Sequence, residues 1–324
     1  MSTQLARFAL TLAMGTTLAA GAVHAQSLTV YSAGPGNLIE RLAADFQAES
    51  GVTVNVFQGT TGQVLARLEA ESANPLADLF ISASWDSAID LKDQGLLMEY
   101  TSPNAAEVPD FLKDSHFVAQ GVSALAMAWN RNSDVPMPND WSDVTDPVNY
   151  NQVTMPDPAQ SGTAYQLVTG LLTANGEDAT WQLFADLSEN GMIVPGPNAR
   201  ALNPVLQGAK AVVFGAVDYI ALGQQANGEA IEVIFPTSGT VIAPRPMMIM
   251  NSTQNADHAK AFYDFVLSEQ GQARVAEVYL MPARGDIEAL RPRINELNLI
   301  DVDDEAMSAE RERILNQFRS VTGM

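Results

Sequence analysis

Short apolar runs alternate with segments of helical periodicity in the first hundred residues after Gln26. Each run is rich in β-branched and aromatic residues, as is typical of buried strands: residues 28–32, 52–57 and 78–82. Between the runs, apolar residues recur every three or four positions, as Leu38, Leu42 and Phe46 do, and this spacing predicts helices. The strand–helix–strand–helix–strand order predicts an α/β fold with a parallel sheet.

Helix-start and helix-end signals mark these helices. Asn37 is the expected cap of the first helix, and Gly51 is its expected end. The second helix follows the loop Gly59–Gly62 and is expected to stop before Pro75, because a residue that precedes proline avoids the helical region. A third helix is expected to begin near Trp85 and to end at Gly95.

A second block repeats this pattern with a different sequence. Its expected strands are 122–129, 153–158, 211–217 and 231–236, and a helix is expected from Thr163. Residues 255–280 read as two further helices, and the charged tail from Asp286 is also expected to be helical. The segment after 240 is too poor in strands for a third sheet, so it is expected to return to the first block.

These blocks predict two lobes joined by a two-segment hinge. Residues 26–122 are assigned to lobe 1, 123–240 to lobe 2, and 241–324 to a return segment that packs on lobe 1. The chain is then expected to cross between the lobes near 120–126 and near 236–244. Lobes with such a hinge close around a ligand in the cleft between them.

The first 25 residues have the features of a secretory signal peptide. Arg7 precedes an apolar stretch that is rich in Ala, Gly and Thr, and Val23-His24-Ala25 supplies small residues for cleavage after Ala25. The stretch is shorter than the roughly 20 residues of a membrane-spanning helix. No cysteine follows it, so the sequence predicts a periplasmic protein without a lipid anchor.

Composition narrows the possible functions. The chain has 324 residues, of which 47% are hydrophobic, and it has no cysteine, which excludes disulfides and thiolate metal sites. Its net charge is −21 with only four lysines, which disfavours nucleic-acid binding because phosphate backbones need basic footprints. A monomer that binds a small molecule, without a cofactor, is the expectation.

Small hydroxyl-bearing loops follow the predicted strands of both blocks. Ligands of open α/β sheets bind beyond the carboxyl ends of the strands, and free N–H groups at helix starts favour anions. The sequence therefore predicts a ligand site formed by these loop residues: Ser32, Ala33, Gly34, Thr60, Thr61, Gly62, Ser84, Ser161, Gly162, Thr163, Asp218 and Tyr219.

Each of these loops also has a purely structural interpretation. Thr60 with Gln63, and Thr163 with Gln166, have the spacing of a capping box, so either threonine is explained equally by a helix start. Arg245 lies between two prolines and is interpreted either as a charged hinge contact or, preferentially, as a surface residue.

The order of several segments resembles the periplasmic solute-binding proteins of ABC transporters. These segments are TVYSA, GTTGQVLARLEAE, NPLADLFISA, SGTAY, GT-x-x-x-P-R-P, KAFYDFVLSEQGQ and YLMPAR. The chain is most similar to the group of ferric-iron, hexose-phosphate and 2-aminoethylphosphonate binders. The resemblance implies a two-lobed type II binding-protein fold and delivery of the solute to a membrane permease with its ATPase.

The resemblance also bears on the ligand. It implies that ferric-iron members use a first-loop histidine, a glutamate after the third strand and two adjacent tyrosines. Here the first loop has Ser32 and no histidine, Ala83 and Ser84 follow the third strand, and only Tyr219, beside Asp218, matches the tyrosine pair. The loops that resemble those of phosphate-type members are present. An anionic, phosphate- or phosphonate-bearing solute is therefore preferred, with Asp218 accepting hydrogen bonds from its hydroxyls or amine. Ferric iron held by Tyr219 and Asp218 remains the alternative.

Enzyme chemistry finds little support. A serine hydrolase needs a histidine beside its nucleophile, and beyond residue 25 the chain has only His116 and His258, neither of them in a predicted cleft loop. No G-x-S-x-G turn, HExxH motif or P-loop is present. A binding protein is therefore preferred to a secreted hydrolase.

Overall fold

The structure is a computed structural model that describes residues 27–302 and 309–324. The predicted signal peptide lies outside the described residues. The strands of the described part are β1 Ser27–Ser32, β2 Thr53–Gln58, β3 Leu79–Ile81, β4 Phe117–Asn130, β5 Val153–Thr154, β6 Val212–Val217, β7 Ile231–Ile234, β8 Ile242–Ile249 and β9 Met281–Pro282.

Helices connect most of these strands, as the alternating pattern predicts. The α-helices of the described part are α1 Gly36–Ser50, α2 Thr61–Ala70, α3 Trp85–Asp93, α4 Gly162–Glu189, α5 Asn198–Leu206, α6 Asp218–Ala226, α7 Ala256–Val266, α8 Glu269–Glu277 and α9 Arg311–Thr322. Short 3₁₀ turns occupy Pro103–Glu107, Asp110–Leu112, Trp141–Thr145, Pro147–Asn149 and Ile294–Glu296. None of the helices within 27–302 and 309–324 is long and apolar enough to cross a membrane.

The strands form one mixed sheet with the order β2-β1-β3-β8-β4-β6-β5, and β7 and β9 both pair with β4. At one end, β1 pairs in parallel with β2 and with β3. At the other end, β5 pairs in parallel with β6, while β6 and β7 run antiparallel to β4. The two ends have separate hydrophobic cores, so each end is the sheet of one lobe.

The long strand β4 and its antiparallel partner β8 run through both lobes. Their first pairs join Phe117 to Met248 in lobe 1, and their last joins Ala124 to Ile242 at the lobe boundary. The register shifts between Ala119 and Val122. The crossings that the sequence predicts near 120–126 and 236–244 lie within β4 and at the start of β8.

The C-terminal segment departs from the expectation that all of 241–324 packs on lobe 1. Helices α7 and α8 do contribute Phe262, Val266 and Val275 to the first core. Helix α9, however, buries Ile314 and Phe318 in the core of lobe 2. These two residues lie four positions apart and form one apolar face, which packs on α4, where the Phe184 and Phe318 ring centroids are 5.2 Å apart.

Three local expectations are wrong in detail. Helix α1 begins at Gly36 with Pro35 in the cap position, so Asn37 is already inside the helix. Helix α2 ends at Ala70, four residues before the expected stop. In the described part of the tail, residues 286–302 are non-helical apart from one 3₁₀ turn, and Arg311–Thr322 form α9. The extended part of the tail pairs with Thr240 through a bridge at Leu299, which supplies backbone partners outside a helix.

Candidate functional site

Three loops of lobe 1 meet at the carboxyl ends of β1, β2 and β3. The Gly59 N–H donates to the Ser32 carbonyl (3.0 Å), and the Ala33 N–H donates to the Ile81 carbonyl (2.8 Å). The Gln58 side chain donates to the Gly34 carbonyl (2.8 Å). Because β1 lies between β2 and β3, the three predicted loops become one continuous surface at the sheet edge.

The Ser161 loop of lobe 2 starts α4. The Ser161 hydroxyl accepts from the Ala164 N–H (3.2 Å) and lies 2.9 Å from the Thr163 hydroxyl. The predicted capping box of Thr163 with Gln166 is therefore wrong, because Ser161 is the cap and Thr163 is inside the helix. Asn198, at the start of α5, contacts both hydroxyls through its amide oxygen and nitrogen.

Loops of the two lobes contact each other directly. A Cβ at Gly62 would lie 2.7 Å from the Ala159 carbonyl oxygen, and a Cβ at Gly162 would lie 2.5 Å from the Ser84 Cβ. Both distances are shorter than real Cβ atoms tolerate, so only glycine permits this approach. The helix starts of α2, α3 and α4 thus converge from opposite lobes, as the sequence predicts for residues 60–62 and 161–163.

Thr60 and Thr61 have different roles. Thr60 forms a full capping box with Gln63: its N–H donates to the Gln63 side chain (2.9 Å), and its hydroxyl accepts from the Gln63 N–H (3.3 Å). Its purely structural interpretation therefore accounts for its hydroxyl. Thr61 is buried, and its hydroxyl has no hydrogen-bond partner among the described residues. An unsatisfied buried hydroxyl at a helix start is available to a ligand.

Asp218 is committed to the protein interior. It is fully buried, pairs with the equally buried Arg291, and accepts hydrogen bonds from the Ala124 N–H (2.6 Å) and the Tyr219 N–H (2.7 Å). Burial raises the pKa of its carboxyl, and the Arg291 guanidinium with the two N–H groups opposes that rise. In this conformation both oxygens of Asp218 are occupied, so Asp218 ties α6 to β4 at the lobe boundary.

Arg245 is buried, with 1% of its surface exposed, and the preference for a surface position is wrong. Its Nη1 donates weakly to the Ala33 carbonyl (3.3 Å), and its Nε has no partner among the described residues. Its guanidinium lies 5.0 Å from the ring centroid of the half-buried Tyr219. Burial raises the pKa of the Tyr219 phenol, against the Arg245 charge, so the phenol stays protonated at neutral pH.

A groove of about 540 Å³ opens beside this pair. It is bounded by residues 34–37 of lobe 1, by Tyr219 and Gly223 of α6, by Asn227 directly after α6, and by residues 277–279, which include Glu277 and Tyr279. A larger cavity of about 750 Å³ lies between the C-terminal parts of α2 and α3, with a mainly apolar lining. That cavity includes none of the predicted site residues, so the groove between the lobes is the better candidate.

Several residues of this region have no local signal in the sequence. Gln120 is buried beside Gly34, and its side-chain oxygen has no partner among the described residues. Asn198 stands in a helix that the apolar pattern misses, although Pro197 before it is a helix-start signal. Arg245 and Gln120 both lie on the crossing strands, which places them under the first loop.

Comparison with known proteins identifies the family. Residues 74–306 match the family described as bacterial extracellular solute-binding protein. A putative 2-aminoethylphosphonate-binding periplasmic protein of Salmonella typhimurium is 23% identical over 75% of this chain and 73% of its own length. Iron uptake protein A1 of Synechocystis is 24% identical over 78% of this chain and 74% of its own length.

The fold has a close counterpart among solved structures. The periplasmic binding protein AfuA of Actinobacillus pleuropneumoniae, solved with fructose 6-phosphate bound, superposes with a TM-score of 0.86 at 24% identity over 92% of this chain and 99% of AfuA. This likeness confirms the two-lobed type II binding-protein fold. With the family match across most of its length, the chain belongs to the bacterial extracellular solute-binding proteins.

Proposed function

We propose that this protein captures a small anionic solute, with a phosphate or phosphonate group, between its two lobes for an ABC importer. One observation carries the proposal: Arg245 is a buried cation beside the interlobe loops, with no carboxylate partner among the described residues. We infer that the residues predicted from sequence, above all Thr61, Ser84, Ser161 and Thr163, also contact the solute, because their loops meet between the lobes.

Burying the charged guanidinium of Arg245 is energetically unfavourable. Removing an ion from water costs several kcal/mol even after the protein relaxes. The Ala33 carbonyl and the Tyr219 ring offset part of this free energy, and a stacked cation contributes about 0.5–2 kcal/mol. An anionic solute offsets more of the desolvation free energy, because the unpartnered Nε of Arg245 then gains a charge-assisted hydrogen bond.

Two ion pairs of the described residues lie near the interlobe loops, Asp86 with Arg311 and Asp218 with Arg291. Arg245 has no ion-pair partner among the described residues, and its charge attracts an anion and repels a free metal cation. The phosphonate-binding name of one relative and the fructose 6-phosphate bound to AfuA agree with this chemistry.

Ferric iron is the second candidate, favoured by the name of the Synechocystis relative and by the phenol of Tyr219 in the cleft. Ferric iron needs several anionic or imidazole ligands. Among residues 27–302 and 309–324, no group of three or more His, Asp or Glu is placed to hold a metal ion. Tyr219 with Asp218 supplies two such groups, and Asp218 is already occupied, so this candidate has weaker support.

The remaining features of the proposal follow from the family and from the sequence. We infer export through the predicted signal peptide, capture in the periplasm, and delivery by a monomer to a permease and its ATPase. Binding without turnover is proposed, because the site unites amide, hydroxyl and guanidinium donors. His116 lies elsewhere, hydrogen-bonded to Ser115.

A thermal-shift panel tests the proposal. Inorganic phosphate, 2-aminoethylphosphonate, fructose 6-phosphate and ferric citrate are added to the protein from residue 26 onward and to its Arg245→Met variant. A ligand at a hundred times its Kd stabilises the folded form by about 2.7 kcal/mol, which raises Tm by several degrees. We expect a phosphate or phosphonate compound to raise Tm for the unsubstituted protein only. A rise with ferric citrate alone would favour the iron candidate.

A further inference from the structure

Helix α9 is the last element of the chain, and its first turn lies at the cleft between the lobes. Its apolar face, Ile314 and Phe318, anchors it to α4 in the core of lobe 2. Its first residue, Arg311, precedes Ile314 and Phe318 by three and seven positions, so it lies on the same face of the helix, one to two turns nearer its start. The guanidinium of Arg311 lies 4.2 Å from the ring centroid of Tyr165, in the first turn of α4.

Arg311 forms an ion pair that joins the two lobes. Its Nη1 lies 2.5 Å from an Asp86 oxygen, and Asp86 belongs to α3 of lobe 1. The Asp86 side chain is 3% exposed and that of Arg311 is 24% exposed, so solvent screens this pair far less than a surface pair. Among the described residues, the pair Arg291–Asp218 lies at the lobe boundary, and each of the other ion pairs joins two residues of the same lobe.

Asp86 lies beside the proposed solute site. The Ser84 hydroxyl donates to its second carboxylate oxygen, and Ser84 touches Gly162 of the opposite lobe. The Arg311–Asp86 pair therefore fastens the lobes at the place where the hydroxyl-bearing loops meet. The same pairing cancels a carboxylate charge that would otherwise face an anionic solute.

We propose that Arg311 is a positioning residue of the solute site, which holds Asp86 across the cleft and keeps the anion-binding loops of the two lobes together. This inference rests on the proposed function for its effect on affinity, but its effect on the distance between the lobes does not need a solute. Replacing Arg311 removes a cationic partner of the buried Asp86 carboxylate and a link between the lobes, so the closed arrangement is penalised.

The inter-lobe distance can be measured directly because the chain has no cysteine. Spin labels at Ala70→Cys on α2 and Ala179→Cys on α4 report on lobe 1 and lobe 2, and both positions are exposed. We expect Arg311→Gln to broaden and lengthen the probe-free distance distribution. Arg311→Lys is expected to fall between, because lysine keeps the charge but loses the planar stacking on Tyr165.

Arg313→Gln is the matched control. Arg313 lies on the same helix and pairs with Glu177 of α4 and with Glu310, so its bonds stay on the lobe 2 side. Its replacement is expected to leave the distance distribution unchanged. If Arg311→Gln also leaves it unchanged, the positioning role is refuted whatever the solute is.

Calorimetry with inorganic phosphate tests the effect on affinity. Arg311→Gln and Asp86→Asn are each expected to weaken phosphate binding at least tenfold, and the double variant no further, because the two residues act as one unit. Additive losses would overturn the inference. If the unsubstituted protein binds no phosphate while Arg311→Gln still opens the lobes, the proposed function fails and the cross-cleft pair stands.

Discussion

Replacing Arg245 by methionine separates binding from stability. Methionine keeps most of the length and apolar volume of the arginine stem but removes the charge. In the structure, the guanidinium donates a long hydrogen bond to the Ala33 carbonyl (3.3 Å), interacts with the ring and the hydroxyl of Tyr219, and has an Nε without a partner among the described residues. The side chain is thus poorly compensated within the protein and well placed for an anion.

The magnitudes follow from these contacts. Loss of one hydrogen bond to a charged ligand costs about 1.5–3 kcal/mol, which is a roughly 10- to 150-fold weaker Kd. Without ligand, the variant is relieved of a desolvation cost of several kcal/mol and loses a ring contact of about 0.5–2 kcal/mol. We therefore expect a free energy of unfolding equal to or about 1–3 kcal/mol above that of the unsubstituted protein.

Two measurements check this prediction. Isothermal calorimetry with inorganic phosphate gives Kd, and urea unfolding followed by tryptophan fluorescence gives the free energy of unfolding. Arg319→Met is the control, because Arg319 is exposed on α9 and donates a hydrogen bond to Asn316 of the same helix. It should leave Kd within twofold and change stability by less than about 1 kcal/mol.

Either of two results would refute the prediction for Arg245→Met. Phosphate binding of undiminished strength in Arg245→Met would remove Arg245 from the solute site. A ligand-free loss of more than about 3 kcal/mol would mean that the guanidinium is a structural group, which serves the Ala33 loop and Tyr219 rather than a solute.

Three further predictions concern other parts of the site and fold. Thr61→Ala and Thr163→Ala should each weaken solute binding by about 1.5–3 kcal/mol, and unchanged calorimetric affinities in both would disprove the site assignment. Gly162→Ala should hinder contact of the lobes and lower affinity more than tenfold, because the new Cβ would lie 2.5 Å from a side-chain carbon of lobe 1; Gly36→Ala, which meets nothing within 4 Å, is the control, and equal effects of the two would contradict the argument. Burial raises the pKa of the Asp140 carboxyl, but hydrogen bonds from the Ser238 and Thr237 hydroxyls and from the N–H groups of Trp141 and Ser238 lower it more, so the pKa lies below its usual value. The stability that the Asp140 carboxylate contributes is therefore present above the usual pKa and is lost as the pH falls through the lowered pKa. Asp140→Asn should then cost about 1 kcal/mol at pH 7 and progressively less below about pH 4 in urea unfolding, and a cost independent of pH would contradict this.

Much of the fold was predictable because its signals are local. The runs at 28–32, 52–57 and 211–217 are strands, and their order with the intervening helices indicates the parallel parts of the sheet. The hydroxyl-bearing loops were predictable for the same reason, since a loop that follows a strand and precedes a helix must lie at the sheet edge. Which of their hydroxyls serve as caps was predictable only in part: the expected Thr60–Gln63 capping box forms, but Ser161, and not Thr163, caps α4.

The sequence by itself determined the strand–helix alternation of the first hundred residues after Gln26 and the loops that lie at the sheet edge. Only the tertiary structure decided which charged side chains pair, because the partners are far apart in the chain. Arg291 and Asp218 are separated by 73 positions, and Arg311 and Asp86 by 225. Periodicity and capping reflect neighbours within a few residues. Whether a charge is buried, paired or left for a solute depends on which surfaces pack together. For this reason the sequence favours a surface position for Arg245, whereas the structure places it in the interior of the protein.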